Sequence, residues 1–150
     1  MAFELVPGLA AKDFIVDLKL CRVLFEDNKY YPWIFLVPMK ENTKNMTDLS
    51  MDERFQLMRE IALAEKVMMS LFPCDQDNVA MIGNMTPQLH VHVVCRKKGD
   101  PDWPGTVWNS ATAKYEPAEK EKIIAKIRQA LNKEMKIRFI KFLNKGYKNE

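Results

Sequence analysis

Histidine is nearly missing from this chain, with two in 150 residues. Cysteine is sparse as well. Cys21, Cys74 and Cys95 are an odd number with no Cys-x-x-Cys pair, so they offer neither a disulfide framework nor a zinc knuckle. No apolar run approaches the ~18 residues needed to span a bilayer, and the acidic Glu4 interrupts any secretory leader. No internal repeat or low-complexity segment is present. Together these absences point to a soluble protein of a reducing, cytoplasmic compartment that makes no membrane contact.

What is present is ordinary for a globular protein: 47% hydrophobic and 29% charged residues. A length of 150 residues suffices for one domain, 1–150, with a sizeable core. Lysine plus arginine exceeds aspartate plus glutamate by 23 − 20 = 3. The basic excess gathers from Lys114 onward, where lysine-rich solvent faces of amphipathic helices explain it better than nucleic-acid binding.

Taken in order, residues 2–17 predict a short docked segment around the Pro7-Gly8 turn signal and then a loop. Leu18 to Phe25 predicts a strand, closed by the turn Glu26-Asp27-Asn28-Lys29. Tyr31 to Val37 predicts a second strand, apolar on both faces and paired with the first as a hairpin. Residues 39–49 predict a loop or one helical turn. Ser50-Met51-Asp52-Glu53 matches a capping box that opens a helix running to about Leu71. Asn78 to Ile82 predicts a third strand. Residues 97–108 are irregular and hold Trp103 and Trp108, which either close as a lid or pack on a partner subunit, packing being the expectation. One or two helices follow, with Pro117 in the first turn.

Both histidines fall in the run Gln88-Leu89-His90-Val91-His92-Val93-Val94-Cys95-Arg96. Side chains alternate faces along a strand, so Gln88, His90 and His92 share one face while Leu89, Val91 and Val93 enter a core. The two rings stand ~6.6 Å apart along such a strand, a spacing that suits one bound group met from two sides. Imidazole titrates near pH ~6.5, and a neutral ring can attack phosphorus to form a covalent phosphohistidine. Gln88 adds an amide that can fix a ring or meet a phosphate oxygen. On spacing alone three uses stay open: catalysis, a structural strand, or a metal site that needs a third ligand from elsewhere.

The run resembles the signature of the histidine triad (HIT) superfamily, His-φ-His-φ-His-φ-φ with φ apolar. Gly83-Asn84 before it, Arg96 after it and Leu36-Val37-Pro38 upstream agree, over roughly residues 14–110. The Trp-Pro-Gly loop and a C-terminal helical extension (about 115–145) resemble a bacterial-type branch. The resemblance implies an α+β fold, with an antiparallel sheet of about five strands, a long central helix and C-terminal helices. It also implies a homodimer and a nucleotide pocket, with no metal and no cofactor. Its implied activity is that of a nucleotide hydrolase or nucleotidyl transferase. Such an enzyme attacks the α-phosphate of a dinucleoside polyphosphate or nucleoside phosphoramidate through a nucleotidyl-histidine. By position His90 is the nucleophile and His92 the assistant at the leaving oxygen. Gln88 stands where the family has its first histidine, which brings a second reading: a nucleotide-binding or interaction module with weak or no catalysis. Asn84 and Thr86 are the expected phosphate contacts, with Met85 where a hydroxyl residue often stands. Asp27 or Asn28 is expected at the ribose, and Arg96 is a further phosphate candidate.

Overall fold

The structure is a computed structural model and describes residues 2–146. A four-residue helix, α1 (Pro7–Ala10), leads into five strands: β1 (Asp13–Asp17), β2 (Cys21–Phe25), β3 (Trp33–Pro38), β4 (Gln76–Ala80) and β5 (Val91–Arg96). All pairings are antiparallel, in the spatial order β1-β2-β3-β5-β4. Two long helices complete the fold, α2 (Met51–Leu71) between β3 and β4, and α3 (Pro117–Gly146) after β5. This is the α+β arrangement that the histidine motif implies.

The sheet divides the apolar residues into two layers. Val23, Ile34, Leu36, Val91 and Val93 face one side, against Leu57, Ala64 and Met68 of α2 and Ile124, Ile127 and Leu131 of α3. Leu24, Trp33, Phe35, Val37 and Val94 face the other side with Leu9 and Val107. The helices therefore cover one face of the sheet, and the opposite face is left for a site. β3 is buried at all six positions because both faces are occupied.

Local chemistry accounts for the element ends. Ser50 caps α2 in both directions: its hydroxyl accepts from Glu53 N at 3.3 Å, and Glu53 Oε2 accepts from Ser50 N at 2.7 Å. Glu60 of α2 is buried, and its two carboxylate oxygens accept from Leu20 N and Cys21 N, each at 2.8 Å. Those bonds fasten the β1–β2 turn to the helix layer.

Two expectations are corrected, and the choice between one and two C-terminal helices is resolved. The segment before residue 18 contains α1 and β1 instead of a loop. The strand expected from Leu18 begins at Cys21, because residues 18–20 form the turn, with Leu18 N donating to Cys21 O at 2.8 Å. The C-terminal part is one continuous 30-residue helix.

Candidate active site

β5 and β3 build the site as neighbours, with His92 directly opposite Phe35 in the register. The His90 and His92 rings lie edge to face with centroids 4.9 Å apart. That is closer than a flat strand predicts, because both rings lean over Phe35, at 6.1 and 4.9 Å. Trp108 meets His92 edge-on at 4.8 Å and Trp33 at 5.6 Å. Around them is a cleft of about 620 Å³, lined also by Gly8, Leu9, Lys12, Glu26, Ile82, Asn84, Met85, Thr86 and Asn109. The volume, with aromatic rings on one side and several polar side chains converging on it, suits a small polar molecule.

Hydrogen bonds fix the two imidazoles in opposite tautomers. His90 Nδ1 lies 2.6 Å from Gln88 O. A carbonyl can only accept, so Nδ1 carries a proton, and in the neutral ring the lone pair is therefore on Nε2. His92 Nδ1 lies 3.2 Å from Trp33 Nε1. An indole N–H can only donate, so His92 carries its proton on Nε2. That Nε2 is buried and has no hydrogen-bond partner among the described residues, so it is a donor waiting for an acceptor. Burial pushes the His92 imidazole down to about 4, with further lowering from His90 and Lys12. His92 is therefore a neutral N–H donor at physiological pH. Lys12 stands 5.2 Å from the Phe35 ring centroid and pairs with Glu26 at 2.5 Å.

Of the residues expected at the site, the cleft brings together His90, His92, Asn84 and Thr86. The others lie elsewhere. Gln88 lies outside this cleft but lines an adjoining pocket with His90 and Asn84, while its Oε1 accepts from Val6 N at 3.0 Å and its Nε2 donates to Glu4 O at 2.9 Å. Arg96 is 2% exposed, and its guanidinium is consumed by both Asp100 oxygens (2.8 and 2.9 Å), Asn78 Oδ1 and Gly105 O. It anchors the loop that carries Trp108. Asp27 accepts from Tyr115 N at 2.9 Å and pairs with Lys120 at 3.3 Å, fastening the β2–β3 turn to the C-terminal segment. Asn28 is buried beside it and accepts from Tyr30 N. The acidic group of that turn that does line the cleft is Glu26.

Sequence reasoning missed Lys12, Glu26, Trp33 and Phe35. Trp33 and Phe35 share a strand face, but only the β3–β5 register puts that face beside the histidines. Trp108 was expected to pack, and it packs against the site itself. Among the described residues no group of three or more His, Cys, Asp or Glu side chains is gathered to hold a metal. No described helix is long and apolar enough to cross a membrane.

The chain is similar to known proteins over most of its length. A family model described as the HIT domain matches residues 9–99. A histidine triad protein of Marinobacter aquaeolei is 34% identical, with TM-score 0.85, over 89% of this chain and 98% of that one. One of Bradyrhizobium japonicum is 33% identical, with TM-score 0.84, over 87% of this chain and 99% of that one. The diadenosine triphosphate hydrolase of Plasmodium falciparum shares the fold at TM-score 0.61 and 17% identity, over 88% of this chain and 85% of that one. No curated protein sequence matches. The family model spans more than half of the chain, on the strands and the histidine run that form the cleft, and the protein belongs to the histidine triad family.

Proposed function

We propose that the protein is a nucleotide hydrolase or nucleotidyl transferase that works through a covalent nucleotidyl-histidine on His90. The observation that carries this reading is the pair of opposed tautomers: a lone pair on His90 Nε2 beside a proton on His92 Nε2, in one cleft. His90 Nε2 attacks the α-phosphorus of a dinucleoside polyphosphate or a nucleoside phosphoramidate. A P–N bond forms while the bond from phosphorus to the leaving oxygen or nitrogen breaks. His92 Nε2–H bonds to the leaving atom as charge develops there. Water, or another acceptor hydroxyl, then attacks phosphorus and releases His90. The Trp33, Phe35 and Trp108 rings supply stacking surface for a base, and Asn84 and Thr86 supply polar contacts to phosphate. The same reading carries a homodimer in the cytoplasm. The exposed apolar side chains Met51, Phe55 and Met58 along α2 supply a face on which two copies can meet.

Intact-mass spectrometry after incubation with diadenosine triphosphate or adenosine phosphoramidate tests the reading. A nucleotidyl adduct that disappears in His90→Ala, while calorimetric binding survives, is the expected result. Binding without adduct or product in the wild type would leave the second reading, a nucleotide-binding module without turnover.

A further inference from the structure

We propose that Gln88 is a positioning residue through which the N-terminal segment, residues 2–6, holds His90 in its attacking tautomer. The inference rests on the reading of His90 as nucleophile. Gln88 occupies the position where the family motif has a histidine, and its amide does what an imidazole cannot. In a primary amide the carbonyl lone pair and the syn N–H point to the same side. Gln88 therefore bonds Glu4 O and Val6 N, the two groups that flank Leu5, as a neighbouring strand would. The two nitrogens of an imidazole point to opposite edges of the ring and cannot reach both.

The same residue holds the nucleophile from its other end. The Gln88 carbonyl accepts from His90 Nδ1 at 2.6 Å. The other end of that peptide plane is tied as well, with Leu89 N donating to Thr43 O at 2.9 Å. Gln88 N donates to Thr86 O at 2.9 Å, which secures the loop that lines the cleft. Side chain, amide and carbonyl are each engaged, so Gln88 transmits the position of residues 4–6 to the His90 ring. The segment also delivers a wall of the cleft. Val6 is the N-cap residue of α1, and the next two helical positions after Pro7, Gly8 and Leu9, line the cleft. A Cβ placed on Gly8 would meet Thr86 Oγ1 at 3.5 Å, so α1 lies in contact with the phosphate-side loop. Gln88 is 9% exposed and does not titrate, so its own bonds to residues 4–6 do not change with its charge state.

Two substitutions cut the coupling from opposite sides. Gln88→Leu removes the amide. Val6→Pro removes the N–H that donates to Gln88 and alters the valine packing against the apolar layer, while the backbone fits, since Val6 sits at φ −62° and ψ 154°, a conformation proline adopts unstrained. Nitrogen-15 NMR of the full-length chain reads the His90 tautomer, and amide exchange reads the docking of Val6. In the wild type His90 shows Nδ1–H alone and the Val6 amide is protected. In Gln88→Leu the Val6 protection is lost. In both variants a second His90 tautomer appears, and the single-turnover rate of adduct formation falls roughly 10- to 100-fold from lost orientation. An unchanged His90 spectrum, with adduct formation within twofold of wild type in the folded protein, would overturn the proposal and leave Gln88 a structural tie. Should Gln88→Leu not fold, Val6→Pro decides by the same two readouts. A wild type that forms no adduct with any nucleotide would sink the functional reading alone, and the His90 spectra would still score the coupling.

Discussion

Trp33 Nε1–H donates to His92 Nδ1 across the β3–β5 pair, at 3.2 Å. That bond decides which nitrogen of His92 carries the proton, and so what His92 can offer an occupant of the cleft. Trp33→Phe keeps an aromatic ring on the strand but deletes the donor. His92 is then expected to populate both tautomers in its ring-nitrogen NMR spectrum, where the wild type shows Nε2–H alone. Turnover should fall about 10-fold, the order of one lost hydrogen bond of ~1.4 kcal/mol. A variant with a single His92 tautomer and full activity would show that the indole N–H is dispensable.

His92 should also leave a mark on stability. Its folded-state value of about 4 lies below the ordinary value of 6.5. Between those two values the unfolded chain binds a proton that the folded chain does not, so stability rises with pH across this window. The contribution is complete above about pH 6.5 and is lost as pH falls towards 4, by on the order of 2 kcal/mol. Urea denaturation of the wild type and of His92→Gln at pH 4.5 and 7 measures it. The difference between the two pH values should shrink in the variant.

Arg96 should behave as a structural residue with an effect on the cleft at second hand. Arg96→Met leaves Asp100 buried and unpaired and is expected to cost about 3 to 5 kcal/mol in chemical denaturation. Arg96→Lys should recover only part of that, because the two-pronged bond to Asp100 needs a guanidinium. Loss of nucleotide affinity in either variant without loss of stability would return Arg96 to the phosphate.

Ser50→Ala removes one half of the α2 capping box. A loss of about 1 kcal/mol is expected, with the rate of adduct formation unchanged, since α2 lies behind the sheet. A change in that rate would mean that the helix layer reaches the histidines.

The elements with a strong local pattern were legible before any coordinates. β3 is apolar throughout, α2 announces its start with Ser50 and Glu53, and β5 alternates. β1 was not legible. It is an edge strand with a register irregularity between Phe14 and Val16 and with Phe14 half exposed, so no clean alternation reaches the sequence. The length of α3 was obscured by Phe139, Ile140 and Phe142, apolar but exposed, which resemble the stripe of a second helix. At the site, His90 and His92 could be found because their spacing is local. Trp33 and Phe35 could not, because only strand register brings them to the histidines. For Gln88 and Arg96 only half was legible: a polar side chain beside a motif is visible in sequence, and the groups it bonds, Glu4 O and Val6 N or Asn78 and Gly105 O, are not.

The division of β5 into two faces also bears on how such a protein can change. Val91, Val93 and Cys95 answer to the helices, while His90 and His92 answer to the cleft. Mutations that retune unfolding and mutations that retune occupancy fall on alternate positions of one strand. Changes to the shape of the cleft, through residues such as Phe35 and Trp108, can proceed while the helix-facing core stays as it is.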